Sequence, residues 1–164
     1  MRLQVKFFEE LSGREVYGLL MARSMVFVEE QQCPYRDVDG VDLDCLHVFY
    51  EEAGRVLACL RLQLPDREKA VVKMGRVLTL ERGVGLGGRL LQAGIAAAGE
   101  RLGARRIALE AQCHARGFYE RAGFAVCGEE FDEDGIPHVP TVSTALSTPL
   151  QRSKIQASTR LLSP

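Results

Sequence analysis

Arg82-Gly83-Val84-Gly85-Leu86-Gly87-Gly88 lies between an apolar run, Val71–Thr79, that reads as a strand and a helical pattern over Leu86–Arg101. Glycine carries no Cβ, so a backbone this rich in it can come close to a ligand. At a helix start such residues leave several N–H groups pointing outward, and the positive end of the helix favours an anion by about 0.3–2 kcal/mol. The stretch therefore reads as a phosphate seat, with Arg82 placed to add a charge-assisted contact.

The neighbouring sequence excludes two phosphate folds. Gly83-Val84-Gly85-Leu86-Gly87-Gly88 satisfies the dinucleotide pattern G-x-G-x-x-G, and Glu110 stands about twenty residues on, where a ribose-binding acid belongs. A dinucleotide fold, however, sets that loop after its first strand and continues in βαβ units. Here three antiparallel strand candidates precede the loop, and only a short helix and a hairpin follow Glu110. A nucleotide P-loop fails because no Gly-Lys-Ser/Thr follows.

Working outward, the first strand is expected at Gln4–Phe8. Ser12-Gly13-Arg14-Glu15 fits a capping box, and Val16, Leu19, Leu20, Val26 and Phe27 give the helix behind it an apolar stripe ending at Cys33-Pro34. An acidic passage, Pro34 to Asp44, leads to strands at His47–Glu52 and Arg55–Leu64 joined by an Ala53-Gly54 turn. A loop at Pro65–Lys69 precedes the strand Val71–Thr79. Beyond the helix, which stops at Gly103, come a buried strand at Arg106–Ala111 and a helix near His114–Ala122. Two strands then flank Glu133-Asp134-Gly135, whose Asp-Gly is a hairpin signal. The order βα, three strands, α, β, α, ββ is a mixed α/β class around one sheet. Residues 1–147 read as one domain and 148–164 as a polar tail.

At 164 residues with a net charge of −1, the chain has the size of one domain and no charge excess to draw nucleic acid or an anionic membrane. No apolar run is long enough for a membrane span, and Met1-Arg2-Leu3-Gln4 opens no signal peptide. The five cysteines are scattered without a CxxC spacing, so no metal site and no disulfide framework is expected, and a reducing, cytoplasmic setting is.

Arg82 to Gly87 also reads as Arg-x-x-Gly-x-Gly, and on these residues the chain resembles the GNAT N-acetyltransferase superfamily. Phe118-Tyr119-Glu120-Arg121-Ala122-Gly123-Phe124 is similar to that family's later helix-to-strand motif. Val26 through Gly40, with Glu29-Glu30-Gln31-Gln32-Cys33-Pro34-Tyr35-Arg36-Asp37-Val38-Asp39 and then His47, looks like its ElaA-type branch, as does Glu133-Asp134-Gly135-Ile136-Pro137-His138. Two features depart from the pattern. The segment from Arg76 to Arg82 is shorter than the family's usual one, and Gln112-Cys113-His114 replaces an asparagine common before the second helix.

The resemblance implies the acyl-CoA N-acyltransferase fold, a mostly antiparallel sheet flanked by helices. It implies direct acetyl transfer from acetyl-CoA to a primary amine, small molecule or peptide, within a ternary complex of a monomer or homodimer. The cofactor is then expected along Val77, Leu78 and Thr79, on Arg82, Gly83, Val84, Gly85, Leu86, Gly87 and Gly88, and against His114, Phe118 and Tyr119. Tyr119 is expected to act as general acid toward the departing thiolate. An alkyl ammonium, with a pKa near 10.4, must first lose a proton. Candidates for the base are His138, His47, Glu29 and Glu110, with His138 favoured by the resemblance. Glu29, Asp39, His47 and Gln112 are the expected acceptor-side residues. The acidic passage, with Arg36 its only internal counter-charge, and Glu129, Glu130, Asp132, Glu133 and Asp134 suggest a negative acceptor mouth. Cys113 beside His114 reads as a packed thiol, because adjacent residues do not face each other. Two alternatives share the fold: an acyl-homoserine-lactone-synthase-like enzyme, against which the glycines argue, and a CoA-binding module without turnover.

Overall fold

Alternating apolar residues in the first half of the chain make four strands that pair antiparallel in sequence order: β1 (Arg2–Phe7), β2 (Cys45–Glu52), β3 (Arg55–Gln63) and β4 (Val71–Thr79). The computed structural model describes residues 1–64 and 70–143; the expected loop at 65–69 and the tail at 148–164 lie outside them. Helix α2 (Leu86–Leu102) crosses from β4 to β5 (Arg106–Gln112), which runs parallel to β4. The described strands then finish the sheet in the order β1-β2-β3-β4-β5-β8-β6, with β6 (Phe124–Val126) and β7 (Phe131–Glu133) both antiparallel to β8 (Ile136–Ser143). This is the mixed α/β arrangement around one sheet that the residue pattern implied, and the mostly antiparallel sheet that the resemblance implied.

The two faces of the sheet are covered by different helices. On one, α2 buries Leu86, Leu90, Leu91 and Ile95 against Leu60, Leu62, Val72, Met74 and Ile107. Gly94 permits the approach, since a Cβ there would stand 2.7 Å from Leu60 Cδ2. On the other face, α1 (Gly13–Arg23) packs Leu19 and Ala22, with Val26 and Phe27, onto Phe49, Val56, Cys59 and Leu78. The expected capping box starts α1: Ser12 Oγ accepts from the Glu15 N–H, and the Ser12 N–H donates to Glu15 Oε2 at 2.8 Å.

Three local differences from the sequence pattern have physical causes. The first helix does not stay α-helical to Cys33; from Ser24 to Glu30 it widens into a π turn, with the Gln31 N–H donating to Val26 O at 2.9 Å. The wider turn keeps both Val26 and Phe27 buried. The helix expected near His114–Ala122 is a 3₁₀ turn, Cys113–Ala115, followed by α3 (Arg116–Glu120). Finally, three strands rather than two follow α3, because Phe124–Val126 is too short to show a period of its own.

Candidate active site

β4 and β5 part company halfway along. Their ladder covers only Val71–Lys73 with Arg106–Ala108. On the other side of β4, Cys59 pairs with Leu78 but Arg61 pairs with Gly75, so β4 holds one extra residue. Arg76 sits in this bulge with φ at +53°. A bulge bends its strand and steepens its twist, and here it swings the end of β4 away from β5. A cleft of about 1010 Å³ opens between them, walled by Met74–Thr79, by Glu110 and Gln112, by Phe118 and Tyr119 of α3, and by His138 of β8.

The open edge of β4 offers backbone groups. Leu80 donates its N–H to Leu57 O at 2.8 Å, toward β3. Residues alternate along a strand, so Leu78 also turns its backbone to β3, while Val77 and Thr79 turn theirs to the cleft.

The bulge is clamped by the acidic passage, and this corrects the expectation of a negative mouth there. Arg76 Nε lies 2.8 Å from Asp37 Oδ1, and its guanidinium stacks over the Tyr35 ring at 5.0 Å. Arg23 donates to Asp37 Oδ2 at 2.9 Å and Asp42 Oδ1 at 2.7 Å. Arg61 grips Asp39 through both oxygens, at 2.8 and 2.6 Å, and reaches Asp42 Oδ1 at 3.0 Å. Three arginines from α1, β3 and β4 thus neutralise three aspartates whose local sequence offers only Arg36 as a counter-charge. The Arg61 hydrogen bonds hold the Asp39 carboxyl well below the usual range. For Asp42, burial pushes upward but hydrogen bonds and charge from Arg23 and Arg61 prevail and lower it. Asp39 lines the cleft as part of this clamp rather than as a free carboxylate.

The glycine loop sits at the mouth. Gly83 and Gly85 take φ of +78° and +75°, and Gly85 caps α2 without any side-chain cap bond. The first bond inside α2 runs from Arg89 N–H to Gly85 O, leaving the N–H groups of Leu86, Gly87 and Gly88 unpaired among the described residues. Gly87 lines the cleft beside Phe118, and Leu86 turns its side chain into the core. Val84 projects outward, 59% exposed. Arg82 lines the mouth but is paired with Glu30 of the π turn, an ion pair spanning the entrance.

Tyr119 is 9% exposed, and its ring meets Phe118 and Phe124 edge-on at 5.1 and 5.9 Å. Its hydroxyl has no hydrogen-bond partner among the described residues, and burial pushes its pKa up to about 12. It is therefore protonated at neutral pH and free to donate. His138 stands opposite Gln112 in the β5–β8 ladder, its ring stacked on Phe131 at 5.9 Å. Its Nδ1 donates to Ile136 O at 2.8 Å, which leaves Nε2 as the free lone pair.

The remaining expected residues divide. Gln112, His114, Glu110 and Phe118 line the cleft, with Glu110 paired to Lys73 at 2.8 Å. Glu29 is exposed and outside the lining, and Cys113 is also outside it, with its thiol pushed up by burial and by Glu130. His47 lies on the far side of the Arg–Asp clamp, buried, with Nε2 2.9 Å from Asp42 O, and burial lowers its pKa. It has no access to the cleft. Tyr35 and Arg76 line the cleft although neither is among the expected site residues, and Glu133, expected only as one of several acids at a negative mouth, lines it too. Nothing in the sequence marks Arg76 as a bulge.

A family model described as an acetyltransferase (GNAT) domain matches residues 25–144, from the π turn to the end of β8. The chain belongs to the GNAT acetyltransferase family. Protein ElaA of Escherichia coli is 37% identical to this GNAT chain over 134 residues, covering 79% of this chain and 88% of ElaA. The crystal structure of ElaA superposes with a TM-score of 0.80 at 33% identity, over 87% of this chain and 98% of that one. An acyl-CoA N-acyltransferase from Pseudomonas aeruginosa gives a TM-score of 0.81 at 37% identity, over 87% and 99%.

Proposed function

We propose that this GNAT chain is an acetyl-CoA-dependent N-acetyltransferase that acetylates a primary amine directly in a ternary complex. The observation that carries the proposal is the joint placement of a splayed β4 edge, an uncapped α2 N-terminus and an unpartnered tyrosine hydroxyl around one cleft. The unpaired N–H groups of Leu86, Gly87 and Gly88 suit a pyrophosphate. The outward backbone of Val77 and Thr79 suits the amides of a pantetheine arm, and an N–H there would steady the thioester oxygen as charge develops on it. The Pseudomonas relative, an acyl-CoA N-acyltransferase, supports the cofactor class.

The bound acetyl thioester supplies the activated acyl group. The chain's residues do the rest. His138 Nε2 takes a proton from the incoming ammonium, and Tyr119 gives one to the sulfur as it leaves. Neither role needs a metal or an acyl-enzyme, and Cys113, off the lining, is not positioned to form one.

The test is calorimetric titration with acetyl-CoA, followed by a free-thiol assay against primary amines with mass detection of the product. Saturable binding and amine-dependent thiol release are expected. Arg82→Ala is expected to weaken acetyl-CoA several-fold at low salt while leaving the melting temperature unchanged, since Arg82 is 64% exposed. A chain that shows no acetyl-CoA binding refutes the proposal.

A further inference from the structure

The carboxylates that line the cleft are not equivalent. Asp39 is gripped by Arg61 and Arg76, Glu110 by Lys73, and Glu30 by Arg82. Glu133 and Asp134 differ: neither has a lysine or arginine ion pair among the described residues, and Glu133 is the one that faces His138, whose Nε2 lies 3.8 Å from Glu133 Oε2. The His138 side chain is 9% exposed and that of Glu133 is 50% exposed. One group is thus buried and the other half-exposed, and both line the cleft.

The β7–β8 hairpin fixes the pair. The Gly135 N–H donates to Asp132 Oδ1 at 2.8 Å, closing the turn, and Phe131 pairs with His138 across the ladder. The Nδ1–H bond to Ile136 O commits the inner edge of the imidazole. Its outer edge, Nε2, then has no hydrogen bond among the described residues, although the side chain is nine-tenths buried. A gap of 3.8 Å is too wide for a direct hydrogen bond. It is wide enough for a donor lying beside both atoms to reach each of them.

We propose that Glu133 and His138 together form a two-point seat for the acceptor's ammonium, and that the acceptor is a primary amine on an alkyl stem that arrives positively charged. This rests on the acetyltransferase reading above. Glu133 takes the charge and His138 Nε2 takes the proton. Of the three protons on the ammonium nitrogen, one passes to Nε2 before attack and goes on to solvent. The freed lone pair forms the C–N bond as the C–S bond breaks. A second proton then leaves the nitrogen, matching the one that Tyr119 gives to the sulfur, and the third stays on the amide. While His138 holds its proton, Glu133 pairs the imidazolium. Glu133 is accordingly a residue for acceptor binding, and its loss weakens acceptor capture more than it slows the chemical step.

The experiment uses the full chain with 1,5-diaminopentane and n-butylamine as acceptors and acetyl-CoA as donor. It compares wild type with Glu133→Gln, Glu133→Asp and His138→Gln. Glu133→Gln is expected to raise the acceptor KM about tenfold, with kcat within threefold and acetyl-CoA Kd unchanged. Glu133→Asp is expected to recover most of that loss, and 0.5 M salt to narrow the difference between wild type and Glu133→Gln. His138→Gln is expected to lower kcat a hundredfold or more. A wild-type acceptor KM in Glu133→Gln at low salt overturns the seat. So does a parallel rise in acetyl-CoA Kd, which marks a hairpin that is only structural. If wild type binds acetyl-CoA yet acetylates neither amine, the seat is refuted and cofactor binding still stands. If it does not bind acetyl-CoA, the underlying reading has failed.

Discussion

Replacing Tyr119 by Phe removes one oxygen from the cleft and almost nothing else. The ring is 9% exposed and makes edge contacts with Phe118 and Phe124 that phenylalanine reproduces. The hydroxyl has no partner among the described residues, so no hydrogen bond is broken, and the change in folding stability should stay within about 0.5 kcal/mol. Against this, a thiolate leaving without a donor loses general-acid assistance worth about a hundredfold to a ten-thousandfold. At about 1.36 kcal/mol for each tenfold, a thousandfold loss corresponds to about 4 kcal/mol of barrier. The lower half of the range is expected, because a thiolate, with a thiol pKa near 8.5, is already a fair leaving group. Tyr119→Phe should therefore cut kcat a hundredfold to a thousandfold in the thiol-release assay. Calorimetric acetyl-CoA affinity and melting temperature should match wild type. Burial raises the Tyr119 pKa to about 12, so the hydroxyl is protonated across the neutral range in which turnover is assayed. Turnover within threefold of wild type would remove Tyr119 from the chemistry.

Arg61→Leu strips Asp39 of its bidentate partner and Asp42 of one of two. About 3 kcal/mol is expected in urea unfolding, the low end for breaking a buried pair, since Asp39 keeps Arg76 and some water. A loss under 1 kcal/mol would show that the clamp is not structural. Gly85→Ala forces a side chain to φ +75° with no clash around it, so about 1 kcal/mol of local strain is expected. Acetyl-CoA affinity should fall several-fold with it, and unchanged affinity would argue against the loop as the phosphate seat. Acid should destabilise the fold in two steps. His47 has a lowered folded pKa, so its contribution is full above the unfolded value near 6.5 and fades as pH falls below it. Asp39 and Asp42 are also lowered, so theirs is full above about 3.9 and is lost as pH falls through their folded values. Thermal melts from pH 8 to 2 should show both declines, and His47→Gln should flatten only the first.

Local rules carried much of the fold. The capping box at Ser12–Glu15, the Ala53-Gly54 turn, the limits of β4 and the start of α2 at Leu86 all depend on residues a few positions apart. Such signals survive in a linear reading because the partners are neighbours in the chain. Glycine density at Gly83–Gly88, with the order of strands around it, likewise marked the loop and excluded a dinucleotide fold. The cleft itself was not legible. It depends on one extra residue in β4, on Arg76 at a positive φ, and on counter-charges for Asp37, Asp39 and Asp42 that come from Arg23, Arg61 and Arg76. Read linearly, those aspartates look like a negative mouth; folded, they are a neutral clamp that holds the strand bent. His47 and His138 are both candidate bases in the chain, with only the family resemblance favouring His138, yet one is sealed behind the clamp and the other lines the cleft with Nε2 near Glu133. Charge balance and access to a cleft are properties of groups brought together from distant positions, so the glycine loop belongs to the sequence and the cleft to the tertiary structure.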